Sequence, residues 1–152
     1  MTISTIPPIA ALLPHAPPML LLDAVLAAGE AAVTAVVVIR PDSLFVVPGE
    51  GVPAHVGIEY MAQACGAYAG LEAWRLGLPV RVGFLLGTRR FQSCEPWLRI
   101  GWRLVVTARM VFREPPMGVF DCRIQRDLAE VATAQITVYQ PEDPSSMLRG
   151  MA

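Results

Sequence analysis

Four polar side chains stand where chemistry could be done in an otherwise apolar chain: Glu59, Gln63, His55 and His15. Glu59 falls in the second turn of a predicted helix that is apolar nearly all round. A carboxylate there is costly unless it is paired or used. Gln63 lies four residues later, one helical turn on, so the two side chains face the same side. Its amide either orients the carboxylate or a bound ligand, or bonds to backbone. His55 precedes Glu59 by four residues, a spacing that places an imidazole and a carboxyl on one helix face. His15 sits among Pro14, Pro17 and Pro18, in a segment that the prolines force to be irregular. A histidine and a carboxyl group facing one cavity can divide the removal of a proton and its delivery elsewhere, each poised by burial toward neutral pH. The plainer readings are a structural carboxylate met by a neighbour and two locally hydrogen-bonded histidines.

The elements that must position these groups follow from the pattern along the chain. Pro7 and Pro8 precede a short apolar piece, Ile9–Leu13, suited to one or two helical turns. Met19–Ala28 and Ala31–Arg40, separated by Gly29-Glu30, predict a β-hairpin. After Pro53 the composition turns to Ala, Met, Leu and Gly, which predicts a central helix over about 54–76, begun by proline and stopped at Gly77. Small residues such as Ala62, Gly66, Ala69 and Gly70 would let strands approach it closely. Val80–Ser93, Leu98–Arg113, Gly118–Arg126 and Ala129–Gln140 then read as strands separated by turn residues. Two strands, a buried helix and several long antiparallel strands are packed most simply as one sheet wrapped around the helix, an α+β domain over 1–152.

Composition narrows the functional classes. Hydrophobic residues make up 54% of the chain and charged ones 16%, a surplus that predicts apolar surface buried against a second subunit. Twelve basic residues, all arginine, against thirteen acidic ones leave a net charge of -1, which argues against nucleic-acid or anionic-membrane partners. Asp23, Glu30, Glu59 and Glu72 interrupt the apolar runs well short of a membrane span. No signal peptide is evident, so a cytoplasmic location is expected. Cys65, Cys94 and Cys122 are widely separated and form no CxxC pair, which predicts buried reduced thiols and no metal site.

Three stretches resemble the hotdog-fold β-hydroxyacyl-(acyl carrier protein) dehydratases. Leu13-Pro14-His15 followed by Met19-Leu20-Leu21-Leu22-Asp23 is similar to that family's N-terminal signature. Pro53 followed by Ile58-Glu59-Tyr60-Met61-Ala62-Gln63-Ala64 is similar to the start of its central helix, and this block is the most specific. Gly83-Phe84-Leu85 through Arg89-Arg90-Phe91, then Leu98-Arg99-Ile100-Gly101, resemble the strands that follow. The stretch Val52-Pro53-Ala54-His55-Val56-Gly57-Ile58-Glu59-Tyr60 resembles the dehydratase-like proteins of aryl-polyene gene clusters more than the housekeeping enzymes. One departure is plain. The housekeeping enzymes carry a catalytic histidine fourteen residues before the helical carboxylate, and that position here is Phe45.

The resemblance implies a hotdog fold and a hydro-lyase that dehydrates β-hydroxyacyl groups carried by phosphopantetheine on acyl carrier protein, with no organic cofactor or metal. It carries the catalytic pattern over to Glu59, with Gln63 as its helical neighbour, and leaves His15 and His55 as candidates for the missing histidine. The thioester oxygen needs donors as it gains charge. No Ser, Thr, Asp or Asn between Pro48 and Ala54 caps the helix, so the N–H groups around Val56 and Gly57 are candidate donors, or are met by water. Arg89 and Arg90 are candidates for docking an acidic carrier protein, or are solvated strand charges. A dimer joined edge to edge is expected. The absent loop histidine gives a second reading, a non-catalytic subunit that completes a heterodimer with an intact hotdog dehydratase. Thioester hydrolysis on the same fold is a third.

Overall fold

The computed structural model describes residues 5–15, 17–81 and 83–141; of the domain expected over 1–152, the stretches 1–4 and 142–152 lie outside that description. The Ala- and Met-rich segment after Pro53 forms the long helix α1 (Gly57–Arg75), entered through a 3-10 turn over Ala54–Val56. It ends where expected. Gly77 takes φ +68, its N–H donates to the Trp74 carbonyl, and the Leu78 N–H donates to that of Ala73, closing the last turn.

Eight strands form among the described residues: β1 (Ala24–Ala28), β2 (Ala32–Val38), β3 (Gly51–Pro53), β4 (Phe84–Ser93), β5 (Trp97–Arg99), β6 (Arg103–Glu114), β7 (Met117–Arg126) and β8 (Ala129–Tyr139). Six of them build one antiparallel sheet in the order β1-β2-β6-β7-β8-β4, and β3 pairs with β5 apart from it. The large sheet packs around α1, chiefly through β6, β2, β8 and β7. Alternation sets the register of its faces: Leu104, Val106 and Ala108 of β6 and Phe120, Cys122 and Ile124 of β7 point at the helix and are buried. They meet Tyr60, Met61 and Ala64 of α1, and this interlayer is the core. No described helix is long and apolar enough to cross a membrane. The architecture is the expected hotdog, one antiparallel sheet around a long central helix.

Three sequence expectations change. The strand expected over Leu98–Arg113 splits at Gly101, whose φ of +94 turns the chain so that its N–H donates to the Ile39 carbonyl; the two pieces then join different sheets. The strand expected over Met19–Ala28 begins only at Ala24, because Gln63 takes up backbone groups of Met19 and Leu21 that a ladder would need. The small helical residues admit the N-terminal segment as well as the sheet. A Cβ on Gly70 would lie 1.9 Å from the Leu12 carbonyl oxygen, so only glycine lets Leu12, fully buried, rest on the helix.

Candidate active site

The N-terminal segment and α1 together build the site. Gln63 is the one described polar residue that is buried, at 1% exposure. Its carbonyl oxygen accepts the Leu21 N–H at 2.9 Å, and its amide nitrogen donates to the Met19 carbonyl at 2.7 Å and to Glu59 Oε1 at 3.1 Å. A buried amide so fully paired fixes what it touches. It ties the segment after His15 to the helix and holds one oxygen of the carboxylate one turn away.

His15 and Glu59 thereby come together from positions 44 residues apart: His15 Nε2 lies 3.8 Å from Glu59 Oε1, and both side chains are about one-third exposed. That separation is too long for a hydrogen bond, so each group keeps capacity for a third partner between them. The Nδ1 of His15 is buried and finds no hydrogen-bond partner among the described residues. Both groups line the near end of a cavity of about 610 Å³ that follows α1. Ala62, Gly66 and Ala69 form its helical wall, and Met110, Phe120 and Val138 face them from the sheet. The small residues leave the space, and the sheet supplies apolar lining. The far end carries Tyr68, Glu72 and Arg113.

The other candidates lie elsewhere. His55 is exposed and does not line the cavity: it sits in the 3-10 turn, whose tighter pitch takes it out of phase with Glu59. The candidate donors around Val56 and Gly57 are also absent from the lining. The Gly57 N–H already donates to the Ala54 carbonyl, and Val56 is buried in the core. A Cβ on Gly57 would lie 2.9 Å from Ile124 Cδ1, so this corner is filled by the sheet. Arg89 and Arg90 lie on β4, an edge of the sheet, and outside the cavity; Arg90, with φ +55, borders a second hollow shared with Arg109 and Arg123. Phe45, at the position of the absent histidine, is 50% exposed with φ +69.

Cys65 and Cys122 are buried with their sulfurs 3.7 Å apart, and burial pushes the Cys65 thiol up; Cys94, expected to be buried, is exposed. Among the described residues no group of three or more His, Cys, Asp or Glu side chains is arranged to hold a metal ion. Glu72 and Arg113 were missed as cavity residues because they lie 41 positions apart with no motif between them. The one signal was Glu72 itself, a second carboxylate on an apolar helix.

A model of the ApeP-like family, described as ApeP dehydratase, matches residues 7–149. No curated protein sequence matches the chain. Among solved structures, a chain of the dehydratase heterocomplex ApeI:P from Xenorhabdus doucetiae is 26% identical, with TM-score 0.89, over 95% of this chain and 97% of that one. The PaaI protein of the E. coli phenylacetic acid degradation operon is 13% identical, with TM-score 0.60, over 76% and 80% of the two chains. A hypothetical thioesterase with coenzyme A from Streptococcus pneumoniae is 14% identical, with TM-score 0.59, over 77% and 84%. The last two speak to the fold alone.

Proposed function

We propose that this chain, which belongs to the ApeP-like dehydratase family, removes water from β-hydroxyacyl thioesters carried on acyl carrier protein, in synthesis of a polyene-type lipid. The observation that carries the reading is the pair His15 and Glu59, brought from distant positions to the near end of one long cavity whose walls are more apolar than polar. In this reaction His15 Nε2 takes the α-proton while the Glu59 carboxyl group protonates the departing β-hydroxyl. The Cα–H electrons form the new double bond as the Cβ–O bond breaks, and water leaves. A water molecule bridging the 3.8 Å gap then accepts the proton of the imidazolium and gives one to the Glu59 carboxylate, which resets both groups. The step is redox-neutral and consumes no co-reactant. Gln63 acts as a positioning residue, since each side-chain hydrogen bond it makes among the described residues holds either Glu59 or the segment after His15.

A dimer suits the surface. β4 is an unpaired sheet edge, and Leu85 and Leu86 on it are 44% and 47% exposed, so pairing along β4 would bury both backbone and apolar groups. Phe45 supports a second form of the assembly, in which this chain works beside an intact hotdog dehydratase that brings its own loop histidine. Arg89 on β4, and Arg90 beside Arg109 and Arg123 in a hollow that Asp121 and Glu130 also line, are the groups proposed to meet an acidic carrier protein.

The test is mass spectrometry of a β-hydroxyacyl carrier protein incubated with the purified chain alone, with an intact hotdog dehydratase alone, and with the two together. Loss of water with the chain alone supports the catalytic reading; loss only in the mixture supports the heteromeric one. Release of free thiol without loss of water would replace both with thioester hydrolysis.

A further inference from the structure

The cavity has a far end that the proposed dehydration does not use. Glu72 lies thirteen residues beyond Glu59 on α1, which at the helical rise is about 20 Å. There Arg113, from β6, donates two parallel hydrogen bonds to the Glu72 carboxylate, Nη1 to Oε2 at 2.7 Å and Nη2 to Oε1 at 2.5 Å. One partner stands on the helix and the other on the sheet, and both line the cavity. The ion pair is therefore a bar laid from one wall to the other.

The fork-to-carboxylate geometry is the strong form of this contact. Arg113 holds the Glu72 carboxyl below its usual range, with Arg75 and Arg81 adding to the effect. An acyl chain growing along the cavity meets apolar wall until it arrives here. To go further, its end must separate the guanidinium from the carboxylate and offer neither of them a hydrogen bond. Both side chains are about two-fifths exposed, so the bar also stands at the boundary with water, where a longer chain would gain no burial.

We infer that the Glu72–Arg113 pair is a specificity determinant that sets the length of acyl chain the cavity accepts; the inference rests on the acyl-thioester reading above. Its test is the affinity of β-hydroxyacyl-pantetheine thioesters of increasing chain length, measured by isothermal titration calorimetry on the full chain. The measurement needs no turnover and so stands apart from catalysis. In the wild type each added methylene should tighten binding about fourfold until the chain reaches the bar, and then the series should go flat. In Arg113→Ala the fourfold steps should continue at lengths where the wild type is flat, and in Arg113→Lys the wild-type limit should return. If Arg113→Ala does not fold, Glu72→Ala opens the bar from the helix side and should show the same extension. A length limit unchanged in the opened variants overturns the inference while leaving the acyl-thioester reading intact. Failure of every thioester to bind the wild type overturns both.

Discussion

The two ends of the cavity each carry a glutamate on the same helix, and the two carboxylates have opposite surroundings. Glu59 faces a histidine at 3.8 Å and receives a single amide hydrogen bond on one oxygen. Glu72 is gripped through both oxygens by a guanidinium. A carboxylate held loosely beside an imidazole can exchange protons with a third molecule; one held in a fork with arginine is fixed in charge and place. On the proposed reading the chemistry belongs to the near end and selection of the chain to the far end, and the same residue type serves both. What differs is the partner that the fold delivers.

The largest effect should come from removing the near-end histidine. His15→Ala is expected to lower dehydration by about 10²- to 10⁴-fold, the usual worth of a positioned proton-transfer group, with unfolding little changed. Rates measured on a β-hydroxyacyl carrier protein, paired with thermal melts, check it; near-normal turnover would move the base elsewhere. Next, Gln63→Ala should cost about 1–3 kcal/mol in urea unfolding, because it strands the Leu21 N–H and the Met19 carbonyl. It should also lower turnover on every chain length alike, which sharpens the division between positioning and length selection.

At the far end the effect is on acid stability and is smaller. Glu72 is depressed in the folded state, so its contribution is present above the unfolded carboxyl value and is lost as pH falls through the folded one. The stability difference between wild type and Arg113→Ala, about 0–1 kcal/mol for so exposed a pair, should hold at pH 7 and shrink as melts are taken below about pH 4.5. A difference that grows in acid would contradict the assignment. Smallest of all, His55→Ala should leave stability within about 0.5 kcal/mol and turnover unchanged, since the residue is exposed and away from the cavity.

Much of this was legible in the sequence wherever local preference and tertiary packing agree. The helix-forming run after Pro53, its stop at Gly77 and the alternation of β6 and β7 are each local signals, and each survives in the fold. Pairing Glu59 with Gln63 needed only helical spacing, and it holds at 3.1 Å. Expectations shifted where a neighbour claims the backbone, as Gln63 does for Met19 and Leu21, or where one residue alters the pitch. The 3-10 turn over Ala54–Val56 put His55 out of phase and occupied the Gly57 N–H, and neither follows from spacing read as an ideal α-helix. The bar from Glu72 to Arg113 could not be read at all, because it joins two elements whose approach is decided by the whole sheet.

The most direct test of this division sets two conservative variants side by side, Glu59→Gln and Glu72→Gln, on a β-hydroxyacyl carrier protein whose chain ends short of the bar, with loss of water read by mass spectrometry. Glu59→Gln should abolish dehydration, while Glu72→Gln should retain it within a few-fold of the wild type. Retention of activity in Glu59→Gln, or equal collapse of both, would contradict the assignment of chemistry to the near end.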